Sequence, residues 1–321
     1  MSVLVLSEED VHALLDMESC IEAMEQVLSA LARDELHQPL RFVVRPPASE
    51  LFGLMPAWRG GADPVFSLKE IVIAPGNSAQ GLDPHQGAVL LHDGATGVLR
   101  AILNAAPITA IRTAAVSAVA TRALARPDAG TVAILGSGFQ GRAHAAAMRA
   151  VLPEAELRIW SRTHEHAVGL ALQCRAVACE SVQEALAGAD VVCTTTAARE
   201  PIVRREWLAA GAHVNAVGSA TPSARELDAA VVAASSLFVD RRESTLNEAG
   251  DYLGAVEEAG IGPDHILAEV GEVLIGVHPG RTSPDELTLF KSLGLAVEDL
   301  GAAELCVARA RERGVGAEVD F

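Results

Sequence analysis

The chain has 321 residues, half of them hydrophobic, and a formal charge of −17. The length suggests about two domains, and the charge works against polyanionic partners such as nucleic acid or an anionic membrane. No apolar run reaches the ~18 residues of a membrane span, the N-terminus lacks signal-peptide features, and the five cysteines form no CxxC pair, so a cytoplasmic protein with free thiols is expected.

In chain order, a helix is expected over 11–36, with Ser7 and Asp10 as candidate caps. Strands follow at 41–45, 51–55 and 65–74, then at 88–91 and 98–103 around the turn Asp93-Gly94-Ala95-Thr96-Gly97. This first third reads as a mostly antiparallel sheet. A helix over 109–124 leads to a boundary at Arg126-Pro127-Asp128-Ala129-Gly130. Beyond it strands (132–135, 157–160, 191–194, 213–217, 237–239) alternate with helices, the sign of a parallel sheet. Ser181-x-x-Glu184, Ser223-x-x-Glu226 and Ser283-x-x-Glu286 have capping-box spacing, the last expected to open a helix over 287–313. The expected fold is α/β: a Rossmann-type dinucleotide-binding domain, 126–294, inserted in a discontinuous α+β substrate and dimerisation domain. The latter comprises 1–125 and a returning C-terminal helix in 295–321.

The loop Gly136-Ser137-Gly138-Phe139-Gln140-Gly141 places G-x-G-x-x-G between a strand and a helix. Gly136 permits the tight turn, Gly138 lets a pyrophosphate approach the backbone, and Gly141 lets helix and strand pack closely. At the end of the second strand, where NAD sites usually carry an acid, the chain reads Trp160-Ser161-Arg162-Thr163. Arg162 can pair with a 2′-phosphate and Ser161 and Thr163 can donate to it, so NADP(H) is preferred, with NAD(H) as the alternative. Thr195 and Ser219 fall at the carboxyl ends of expected strands, where such sheets bind ligands.

Only Lys69 and Lys291 are lysines; the other 23 of 25 basic residues are arginines. A lysine inside the apolar strand around Lys69 is awkward unless it works, because a compact titratable ammonium is not interchangeable with a guanidinium. The single tyrosine, Tyr252, is followed by Val256, so the Tyr-x-x-x-Lys acid of short-chain dehydrogenases is absent. The histidines lack H-E-x-x-H spacing, and no metal is expected. His144, just inside the dinucleotide helix, reads as a packed or phosphate-near side chain.

Several segments together resemble the ornithine cyclodeaminase/mu-crystallin family. They include Leu54-Met-Pro-Ala-Trp58, the Lys69 strand, Asp83-Pro-His-Gln-Gly87, Thr109 to Ser117, the Gly136 loop, Ala216-Val-Gly-Ser219, Arg225-Glu-Leu-Asp228, Glu248-Ala-Gly-Asp251 and Phe290-Lys-Ser-Leu-Gly294. The resemblance implies a dimer. It gives Arg45, Lys69 and Arg112 to the substrate carboxylate or an adjacent cofactor phosphate, Lys69 and Asp228 to proton transfer, and His85, Val217, Gly218, Ser219 and Ser292 to the cofactor. Asp228 also reads as a plain helix-end charge. Lys291 is expected to close over the cofactor with Ser292. Within the family, the Ser161-Arg162-Thr163 segment and the lack of an acid in Phe52–Trp58 favour reduction of a small cyclic imino acid over ornithine cyclodeamination. Alanine or N-alkyl amino acid dehydrogenation, and cofactor-dependent binding without turnover, are the further readings.

Overall fold

Strand β1, Ser2–Leu6, starts the chain in the computed structural model, which describes residues 2–46, 51–82 and 85–321. Two helices follow where one was expected: α1, Glu8–Leu14, and α2, Met17–Ala32. The break is at Asp16, whose carboxylate accepts from the Ser19 amide and restarts the helix; Ser7 and Asp10 form the capping box of α1. The apolar period runs through this joint, which is why pattern alone bridges it. Next come β2 (Leu36–His37), β3 (Phe42–Val44), β4 (Leu51–Arg59), β5 (Val65–Ile73), β6 (His85–Asp93) and β7 (Leu99–Asn104). They form an antiparallel meander with β1 added parallel to β7. Pro56 sits in β4 between the stretches that β3 and β2 pair, where a missing N–H costs the ladder least. Along β5 the buried positions alternate as Val65, Ser67, Lys69 and Ile71, so Lys69 occupies the inward register.

Helix α3, Ala105–Leu124, then leads to the parallel strands. The chain forms two compact units, Met1–Thr113 with Leu295–Phe321, and Ala114–Gly294; the change falls within α3, whereas the sequence reading starts the nucleotide domain at 126. The second unit opens with β8 (Thr131–Leu135), α4 (Phe139–Val151), β9 (Glu156–Trp160), α5 (His164–Cys174) and β10 (Val177–Ala178). It continues with α6 (Val182–Leu186), β11 (Val191–Thr194), β12 (His213–Ala216), α7 (Ala229–Ala234) and β13 (Ser236–Val239). Then follow α8 (Arg242–Glu248), α9 (Gly250–Ala259), β14 (Ile266–Glu269), α10 (Val270–Leu274) and β15 (Thr288–Lys291). All eight strands are parallel, in the order β10-β9-β8-β11-β12-β15-β13-β14. The first five follow the doubly wound dinucleotide-binding order, which reverses between β8 and β11, and β15, the last strand of the unit in the chain, takes the sixth place.

Two expected capping boxes are corrected. Ser283-x-x-Glu286 opens no helix: Glu286 folds back onto the amides of Thr282 and Ser283, and the next residues enter β15, a strand buried throughout. Ser223-x-x-Glu226 also caps nothing, because Glu226 turns inward. Ser181 does cap α6. The last helix is α11, Ala296–Arg313, followed by β16, Ala317–Asp320, antiparallel to β1. Helix α11 packs on α2 and against β4, β5 and β6, covering the face on which Lys69 lies.

Candidate active site

In the second unit, the loop after β8 meets the end of β11 at the point where the strand order reverses. Gly136 has φ +122°, which disfavours any side chain, and an added Cβ would come within 2.5 Å of Thr195 Oγ1. At Gly141 an added Cβ would meet the Gly136 carbonyl at 2.1 Å, so α4 could not seat against the turn. At Gly138 it would meet nothing within 4 Å. That open backbone stands at the N-cap of α4, where no side chain caps and no acid lies in the first turn. The first-turn amides there are suited to a phosphate, so these residues fit the dinucleotide that the motif implies. Phe139 is exposed, Gln140 lies beside it in the first turn, and the Ser137 hydroxyl donates to Ser161 Oγ at 2.8 Å. Arg162 and Thr163 are exposed next to that link, at the tip of β9.

Two buried acids tie the neighbouring strand ends together, a role the sequence reading gave to neither of them. Glu226 accepts from Thr194 Oγ1 and the Gly218 amide on one oxygen, and from the Thr196 amide and hydroxyl on the other, at 2.6–2.7 Å. Burial first, then Asp251, raise its pKa, yet four donors on two oxygens are what an ionised carboxylate accepts. Asp251 accepts from the amides of Glu226 and Leu227, from Ser219 Oγ and from Lys291 Nζ. Lys291 also donates to Ala216 O and Ser219 Oγ. Ser219 and Lys291 are therefore buried parts of this knot. Val217 and Gly218 donate their amides to Thr194 O, and the Ser292 amide donates to Ala216 O. The knot sets the backbone where a cofactor is expected to lie.

Asp228 stands at the N-cap of α7: Oδ1 accepts from the Val231 amide at 2.7 Å and Oδ2 from the Arg205 amide at 3.3 Å. These are the contacts of a helix cap, one of its two expected roles; the other, proton transfer, is a matter for the kinetic test of Asp228→Asn. His144 is buried, its pKa lowered by burial to about 4. Its Nδ1–H donates to Gln140 O at 2.8 Å, so Nε2 accepts from the Ser117 hydroxyl at 2.9 Å; it is a packing residue.

The first unit holds a buried quartet of charges. Lys69 Nζ lies 2.7 Å from Asp299 Oδ2. Arg112, on α3, donates through Nε to Asp299 Oδ1 at 2.9 Å and through Nη1 to Glu298 Oε2 at 2.5 Å. All four residues are at most 3% exposed. Glu298 and Asp299 stand in the first turn of α11, where the helix dipole favours carboxylates. Burial lowers the Lys69 pKa to about 8; Asp299 opposes the fall, while Arg112 and Arg41 add to it. Lys69 and Arg112 are thus brought together, through acids that no sequence motif announced. Arg45 is exposed just past β3, with no ion pair or hydrogen bond to the quartet, and His85 begins β6 on the same unit. Asp83 lies outside the described residues. Among the described residues no group of three or more His, Cys, Asp and Glu is placed to hold a metal, and no helix is long and apolar enough to cross a membrane.

A model of the ornithine cyclodeaminase/mu-crystallin family matches residues 1–314. Mouse ketimine reductase mu-crystallin is 43% identical over 272 residues, 84% of this chain and 83% of that protein. The structure of Thermococcus litoralis Δ1-pyrroline-2-carboxylate reductase in complex with NADH and L-proline has a TM-score of 0.94 at 34% identity, covering 99% of this chain and 100% of that one. An archaeal alanine dehydrogenase dimer with bound NAD has a TM-score of 0.94 at 29% identity, covering 100% of both.

Proposed function

The chain belongs to the ornithine cyclodeaminase/mu-crystallin family, and we propose that it is an oxidoreductase that reduces a cyclic α-imino acid, Δ1-pyrroline-2-carboxylate or Δ1-piperideine-2-carboxylate, to L-proline or L-pipecolate. The observation that carries this reading is the buried Lys69–Arg112 pair. Among the described residues Lys69 has one polar partner, Asp299, which leaves two N–H donors; Arg112 uses Nε and Nη1 there and keeps Nη2. Arg112 Nη2 takes the substrate carboxylate, and the Lys69 ammonium gives the imine nitrogen its proton. A group titrating at about 8 is charged at neutral pH and yet a willing donor. Arg45, exposed, is left out of this assignment.

A nicotinamide dinucleotide supplies the hydride in this chemistry, and the Gly136–Gly141 loop with the Thr195 and Gly218 backbone is suited to hold it. Exposed Arg162, with Ser161 and Thr163, supports a preference for NADPH over NADH. Absence of an acid in Phe52–Trp58 supports reduction over cyclodeamination, which has a distal ammonium to hold. The archaeal dimer supports a homodimer here as well. The test is stoichiometric NADPH oxidation with Δ1-pyrroline-2-carboxylate, alongside ornithine with catalytic NAD. Proline and ammonia formed from ornithine without net reduction would overturn the reading.

A further inference from the structure

We propose that Asp299 is a positioning residue for this reduction: its carboxylate spaces Lys69 and Arg112 and keeps the Lys69 ammonium charged until the proton is given up. The inference rests on the function proposed above. Each Asp299 oxygen serves one cation, Oδ2 toward Lys69 Nζ and Oδ1 toward Arg112 Nε, at 2.7 and 2.9 Å. The carboxylate is 1% exposed, so water cannot replace it on either cation.

The charges around Lys69 come from three directions. Helix α11 brings Asp299, and also Glu298, which pairs with Arg112. Helix α3 brings Arg112, and the segment before β3 brings Arg41; both are cations that disfavour a charged lysine. Across the ladder Lys69 faces Met55 on β4 and Val89 on β6, which carry no charge. Asp299 is therefore the carboxylate paired directly with this lysine. Asp299→Asn keeps the volume and removes the charge, stranding the ammonium between arginines in an apolar setting.

The experiment measures imino acid reduction against pH, with NADPH saturating. In the unmodified enzyme the rate should fall as pH rises through about 8, because only the protonated lysine donates. In Asp299→Asn that falling limb should move down by about one pH unit or more. The imino acid KM should rise about tenfold as Arg112 loses an anchor, while NADPH binding holds. A limb and KM that stay in place overturn the proposal. Because the chain has two lysines, 13Cε-lysine labelling yields two signals, and the one lost in Lys69→Met belongs to Lys69. Its midpoint must fall in Asp299→Asn. If the unmodified protein reduces no imine, the function fails, but this titration still judges Asp299. If Asp299→Asn does not fold, Lys69→Met/Asp299→Asn should recover stability, because the stranded ammonium is gone; no recovery also overturns the pairing.

Discussion

Lys69 and Lys291 are 2% and 1% exposed, and each lies against a buried aspartate. They differ in what is left over. Lys291 spends three hydrogen bonds on Ala216 O, Ser219 Oγ and Asp251, which exhausts its ammonium. Lys69 spends one. Burial and ion pairing by themselves describe structural and working lysines equally well; unspent donor capacity separates them. The same distinction holds between the two regions. The strand ends of the second unit are tied by acids whose acceptors are filled, whereas the quartet of the first unit keeps donors in hand.

The largest effects should therefore come from the lysines and differ in kind. Lys69→Met should fold and lose about 10²–10⁴-fold in reduction rate, the usual worth of an acid–base group. Lys291→Met should cost about 3–5 kcal/mol of stability in denaturant unfolding, because it leaves Asp251 buried without its cation. Full turnover in Lys69→Met, or an unchanged midpoint in Lys291→Met, would break the comparison. A smaller effect is expected at the surface of the second unit. Arg162→Ala should weaken NADPH binding about tenfold, as for a lost charged hydrogen bond, and leave NADH binding unchanged; tighter NADH than NADPH binding by the unmodified protein would count against the assignment. The smallest belongs to Asp228. Asp228→Ala should cost about 1 kcal/mol of stability, and Asp228→Asn, an equally good cap, should keep kcat. Loss of kcat in Asp228→Asn would return that residue to the chemistry.

What was legible in the sequence follows from where the information lies. The dinucleotide loop is local: three glycines at fixed spacing encode a turn, an open backbone and a close contact. Lys69 was legible because a period-2 strand puts it on the apolar side. Its partners were not, because Glu298 and Asp299 look like ordinary first-turn acids and lie some 230 residues further along the chain. Glu226 was misread because a serine three residues before a glutamate looks the same whether the acid caps a helix or is buried among threonine hydroxyls. Asp228 fits both of its readings from the sequence, because a carboxylate that caps a helix keeps lone pairs for other work.

The antiparallel pairing of β1 with β16, and the placement of Asp299 on α11, also bear on the order of events during synthesis. The ribosome delivers β1 to β7 early, but their covering helix and closing strand only after the whole of 114–294 has been made. The nested unit has all its strands by then and can fold as it emerges, ahead of the unit that hosts it. Until α11 arrives, Lys69 and Arg112 lack Glu298 and Asp299, and the face of β4 to β6 lacks the helix that covers it. The charged quartet of the first unit is accordingly completed only after every strand of the nested unit has been made.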